Sequence, residues 1–138
     1  TKAILSGEPI KIFNHGDMIR DFTYIDDIVE SIFLIMQKIP NKNPNYKQGD
    51  KNCHESWAPY KVFNIGNSKP INLMKYVNEI EISLGIEAKK DYLPMQEGDV
   101  KATSANTELL ENWINYKPKT TVKEGIKKFV DWYKNYYE

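Results

Sequence analysis

The string Asp17-Met18-Ile19-Arg20-Asp21-Phe22-Thr23-Tyr24-Ile25-Asp26-Asp27 contains the single arginine of a chain whose other basic residues are lysines. A guanidinium is a planar fork of donors that grips phosphate or carboxylate through two bonds, which an ammonium cannot do. Arg20 is therefore a candidate ligand-binding residue. The plainer alternative is a structural ion pair with Asp17 or Asp21. Spacing alone favours that alternative, because surface ion pairs are common and individually weak.

Other reactive residue types form weaker patterns. Cys53-His54 stands near Asp50 and Glu55, but a metal site needs several ligands at fixed spacing, and no metal is expected. A Cys53 nucleophile served by His15 is less favoured still, since nothing in the local sequence lowers the thiol pKa. Asp26 and Asp27 are adjacent, so on a helix they do not face one another. A helix cap and a favourable charge at the positive helix end account for them. The seven glycines stand apart, at 7, 16, 49, 66, 85, 98 and 125. A dinucleotide cradle needs clustered glycines so that backbone can approach a pyrophosphate. No tyrosine has a lysine four residues on, so a Tyr/Lys acid–base pair is absent as well.

Short elements must position these residues. Thr1 to Gly7 reads as the tail of a helix ending at glycine with no cap before it, and Pro9 breaks the pattern. Ile10 to Phe13 is a short strand, followed by turn chemistry at Asn14-His15-Gly16-Asp17. Phe22 to Ile25 is β-prone. Asp26 then caps a helix carrying Ile28, Val29, Ile32, Phe33, Met36 and Ile39. Residues 40 to 59 form a polar excursion or flap. Tyr60 to Ile65 reads as a strand ending at Gly66. Asn72 caps a helix with Leu73, Val77, Ile80 and Leu84, and Asp91 to Leu93 is a strand halted by Pro94. Leu109, Leu110 and Trp113 mark a short helix. Thr121 to Glu124 is a capping box opening a last helix whose face carries Val122, Ile126, Phe129, Val130 and Tyr133. That face is most simply core, while the Trp113, Trp132, Tyr133, Tyr136 and Tyr137 cluster is open to contact with a missing lobe.

Composition sets the outer bounds. With 41% hydrophobic and 28% charged residues, the 138-residue chain reads as one globular segment, residues 1 to 138, and its alternation of short strands and helices makes it mixed α/β. A net charge of zero argues against a nucleic-acid partner held by bulk charge. One cysteine excludes an internal disulfide and suits a reducing compartment. No apolar run reaches membrane-spanning length and no signal pattern opens the chain, so a cytoplasmic location away from membranes is expected. The uncapped start without Met reads as a piece cut from a longer protein.

Three strings resemble one family. Arg20 to Val29 is similar to the C-terminal signature of extended short-chain dehydrogenase/reductase enzymes that act on nucleotide-sugars. Ala58-Pro59-Tyr60-Lys61-Val62-Phe63-Asn64-Ile65-Gly66-Asn67-Ser68 and Leu93-Pro94-Met95-Gln96-Glu97-Gly98-Asp99-Val100 narrow the resemblance to UDP-glucuronate 4-epimerases of the capsule-biosynthesis type. The strings occur in the family's order and span nearly the whole chain. Two departures stand out: Glu97 where the family usually has Pro, and Asn106 where it often has Asp.

The resemblance implies the C-terminal, substrate-binding portion of a Rossmann-type parent. The N-terminal half, absent from this chain, would hold NAD, carry the Tyr/Lys pair and form the homodimer. The implied activity is an isomerase reaction in polysaccharide biosynthesis: oxidation at sugar C4, rotation of the keto-sugar, and return of hydride to the other face. The fragment alone is expected to be inactive and not to bind NAD. Its implied task is to hold the UDP of a UDP-sugar. Arg20 would grip the diphosphate, and Lys11 and Phe13 would present backbone groups to uracil. Phe22 would pack near the nucleotide, and Asp99 would accept a ribose hydroxyl. Gln96 suits the glucuronate subgroup, where related epimerases for uncharged sugars often have arginine. The alternatives are a non-catalytic UDP-sugar-binding remnant, or part of a UDP-N-acetylhexosamine epimerase or nucleotide-sugar dehydratase. The last helix and the Tyr60 to Ile65 run are the expected contacts with the missing half.

Overall fold

Pro9 cannot continue the opening helical turn, and the chain turns extended directly after it. The computed structural model describes residues 1–47, 49 and 54–137. In it, α1 (Lys2–Leu5) leads into β1 (Ile10–Ile12), which pairs in parallel with β4 (Lys90–Tyr92), Ile10 opposite Lys90 and Ile12 opposite Tyr92. β2 (Ile19–Arg20) pairs antiparallel with β3 (Ile71–Asn72). Helices α2 (Ile25–Met36) and α3 (Leu73–Leu84) follow β2 and β3, and α4 (Glu108–Ile114) and α5 (Val122–Tyr137) complete a mixed α/β architecture of short elements.

Local chemistry sets the helix ends, and the Asn72 cap and the Thr121–Glu124 box are those the sequence predicts. The Asn72 side chain accepts the Met74 N–H at 2.8 Å, and Gly85 closes α3 at φ 70°. In the capping box the Thr121 hydroxyl accepts the Glu124 N–H at 3.2 Å, and the Glu124 carboxylate accepts the Thr121 N–H at 3.0 Å. Ile126 and Val130 of α5 are buried with Ile4, Leu84 and Ala88, so α3, α5 and α1 share one core. Each of the Ile, Leu and Val side chains contributes about 1.5–3 kcal/mol by leaving water.

Several expectations need correction. Phe13 leaves β1 and opens a 3-10 turn over Phe13–Gly16, in which Asn14 and His15 take φ values of 48° and 51°. The β-prone Phe22 to Ile25 run is not a strand. Pairing occurs earlier, at Ile19–Arg20, where Ile71–Asn72 supplies a partner. Tyr24, not Asp26, occupies the N-cap of α2, with extended backbone and no side-chain bond. Tyr60 to Ile65 forms a single Lys61–Glu55 bridge rather than a strand, because strand propensity is realised only against a neighbour. Cys53 lies outside the described residues. His54 is described, and no group of three His, Cys, Asp or Glu suited to a metal gathers among the described residues.

Helix α2 is turned around relative to its pattern. Its buried residues are Asp27 and Ser31, whereas Val29, Phe33 and Met36 remain 57%, 58% and 75% exposed. The Asp27 carboxylate accepts the Tyr116 hydroxyl at 2.7 Å and the Thr120 N–H at 2.9 Å, which ties the α4–α5 connection to α2. No helix of the described residues is long and apolar enough to cross a membrane.

Candidate functional site

The connection from β4 to α4 carries Gln96 and Asp99 of the candidate site and is laced to two strands in turn. At its start Leu93 N–H bonds the Ile12 carbonyl at 2.9 Å and His15 N–H bonds the Leu93 carbonyl at 3.0 Å, extending the β1–β4 pairing past Phe13. Further along, Ile19 N–H bonds the Lys101 carbonyl at 2.9 Å and Thr103 N–H bonds the Ile19 carbonyl at 3.1 Å. These bonds make a parallel bridge between Ile19 and Ala102.

Arg20 sits at the end of β2 beside that bridge. Its Nη2 lies 2.8 Å from Asp99 Oδ1, and its Nη1 donates to the carbonyls of Ile19 at 2.8 Å and Lys101 at 3.2 Å. The structure thus joins two residues that the family resemblance assigns to one ligand. Neither local carboxylate is the partner. Asp17 Oδ2 pairs with Lys101 Nζ at 2.7 Å. Asp21 instead accepts backbone N–H groups from Ser68 at 3.0 Å, Ala105 at 3.2 Å and Lys69 at 3.3 Å. Asp21 is a structural anchor that sequence reasoning missed, since its partners lie far along the chain.

The other candidates occupy distinct places. Lys11 is exposed on β1 opposite Asp91, and Phe13 begins the 3-10 turn next to the Leu93 pairing. Gln96 is exposed, and its carbonyl accepts the Asp99 N–H at 3.2 Å across a turn with Gly98 at φ 79°. That turn sets the approach of Asp99 to Arg20. Phe22 stacks on Tyr76, centroids 3.9 Å apart and planes 13° from parallel. The two rings line a groove of about 210 Å³ with Tyr24, Thr121, Gly125 and Phe129. Burial raises the Tyr76 phenol pKa above its ordinary value.

Asp27, the second carboxylate of the pair, does structural work. Burial opposes its ionisation, but bonds from Tyr116 and Thr120 outweigh that and hold its pKa below the usual 3.8. Burial, and then the bond to Asp27, push the Tyr116 phenol up to about 12.

Among the described residues the glycines do not form a dinucleotide cradle. A Cβ on Gly16 or Gly66 would meet Met74 or Ala105 of this chain, at 2.8 and 2.6 Å. These close approaches therefore serve internal packing. Gly7, Gly85 and Gly98 have positive φ and serve turns or a helix end.

Residues 2–129 match the family described as GDP-mannose 4,6 dehydratase, and the chain belongs to that family. It is 49% identical over its full length to the protein CapI of Staphylococcus aureus, of which it covers 41%. It is 42% identical over 137 residues to a probable UDP-glucuronate 4-epimerase of Rhizobium meliloti, covering 98% of this chain and 40% of that protein. A solved UDP-glucuronic acid 4-epimerase from Bacillus cereus, in complex with UDP-glucuronic acid and NAD, superposes with a TM-score of 0.76 at 26% identity, over 99% of this chain and 38% of that one. The chain therefore spans about two fifths of the length of these relatives, 41% and 40% for the first two.

Proposed function

We propose that this member of the GDP-mannose 4,6 dehydratase family holds the UDP handle of a UDP-sugar within an NAD-dependent 4-epimerase, with UDP-glucuronate and UDP-galacturonate as the substrate pair. The observation that carries this reading is the convergence of Arg20 and Asp99 at 2.8 Å on a connection laced to both β1 and β2. Arg20 binds the diphosphate, and Asp99 accepts a ribose hydroxyl. The backbone at Lys11 and Phe13 meets the uracil edge, Phe22 packs near the nucleotide, and Gln96 is the side chain that suits a glucuronate-type sugar. Relatives named as UDP-glucuronate 4-epimerases support the sugar assignment.

The NAD site belongs to the other half of the protein, because the glycines here are committed to packing and turns. NAD supplies hydride acceptance and return when bound there. The residues of this chain anchor the remote part of the substrate. Binding energy from the nucleotide places the sugar, while the hexose remains free to rotate about the pyrophosphate. The product serves polysaccharide biosynthesis in the cytoplasm.

The test is an assay of the full-length protein with a panel of UDP-sugars, following inversion at C4. The expected result is interconversion of UDP-glucuronate and UDP-galacturonate. Inversion of none of them, with UDP still bound, would leave a UDP-sugar-binding remnant in place of an epimerase.

A further inference from the structure

We infer, building on the UDP-handle reading, that Lys101 is the second cation of the diphosphate site. Each phosphate of a pyrophosphate diester carries one negative charge at neutral pH. Arg20 supplies one positive charge, and Gln96 supplies none. The parallel bridge between Ile19 and Ala102 sets Met18 beside Lys101 and Arg20 beside Thr103. Lys101 stands at the bend beside that bridge, with its own backbone against Arg20.

The contacts agree with that placement. Arg20 Nη2 lies 4.0 Å from the Met18 sulfur, and its Nη1 bonds the Lys101 carbonyl at 3.2 Å. The Lys101 ammonium pairs with Asp17 at 2.7 Å, and both side chains are more than half exposed. An exposed ion pair of this kind is worth little, so exchanging the carboxylate for a phosphate costs little. An ammonium suits such a site as a point charge beside the bidentate fork of Arg20. Asp99 and Asp17 thus pair with the two cations that the diphosphate engages in this reading.

Three single variants and one double variant of the full-length protein test this by calorimetry with UDP and, in competition, with uridine. Lys101→Gln should weaken UDP binding about fivefold while leaving uridine affinity and thermal stability unchanged, and Lys101→Arg should restore it. Asp17→Asn should tighten UDP in the unmodified background and have no effect beside Lys101→Gln. UDP affinity within twofold of the unmodified protein in Lys101→Gln, or an equal loss for uridine, would overturn the assignment while sparing the handle reading. If the unmodified protein binds no UDP, the handle reading itself fails, and the role of Lys101 fails with it.

Discussion

The Arg20 guanidinium and the Asp99 carboxylate meet at 2.8 Å although 79 positions separate them in the chain. The pair clamps the middle of the β4–α4 connection onto β2, next to the Ile19–Ala102 bridge. Asp99→Ala should therefore loosen the bridge. Hydrogen exchange at the Ile19 and Thr103 amides is expected to speed up, with a stability loss of about 0.5–1.5 kcal/mol. Unchanged protection at both amides would show that the bridge stands without the pair.

Asp27 should make the fold acid-sensitive. Its folded pKa lies below the unfolded value of 3.8, so its contribution is fully present above that value and is lost as pH falls through the folded pKa. Asp27→Asn should cost about 2 kcal/mol at neutral pH, because the Tyr116 hydroxyl or the Thr120 amide loses a charged acceptor. It should also flatten the stability curve below about pH 4. Denaturant titrations from pH 2 to 7 check both effects. Parallel curves for the two proteins would contradict this role.

Gly66 should not tolerate a side chain. A Cβ there would sit 2.6 Å from Ala105 Cβ and 3.3 Å from Asp21 Oδ2, inside the knot of amides around Asp21. Gly66→Ala is expected to destabilise by roughly 1–3 kcal/mol through overpacking. A chemical melt coincident with the unmodified chain would refute the close approach.

The outward apolar face of α2 should make the isolated chain sticky. Val29, Phe33 and Met36 present a stripe of the kind that marks an interface. The chain should self-associate with rising concentration and bind an environment-sensitive apolar dye. Val29→Glu combined with Phe33→Glu should suppress both while preserving helix content. A monomeric, dye-silent parent chain would mean that this face needs no cover.

Elements governed by neighbours in sequence are legible in the sequence itself. The Asn72 cap and the Thr121–Glu124 box act within one helical turn, and both are present in the structure. What was not legible depends on partners far along the chain. Arg20 finds Asp99 rather than Asp17 or Asp21, and the adjacent Asp26 and Asp27 differ because only Asp27 meets Tyr116 and Thr120. The orientation of α2 was hidden for the same reason. Its apolar pattern marks a helix, but the bonds of Asp27 decide which side faces inward. Tyr60 to Ile65 has strand composition yet pairs at one bridge, since composition cannot supply the neighbouring strand.

The most direct test of the UDP-handle account is the UDP affinity of Arg20→Lys in the full-length protein, measured beside its thermal stability. Lysine keeps the charge but loses the fork that reaches Asp99 and the Ile19 and Lys101 carbonyls together, so stability should fall by about 1 kcal/mol. Replacing a bidentate phosphate contact by a point charge should separately weaken UDP binding by roughly 1–3 kcal/mol, or about 5–150-fold. A variant that melts earlier but binds UDP as tightly per folded molecule would confine Arg20 to a structural pair and contradict the account.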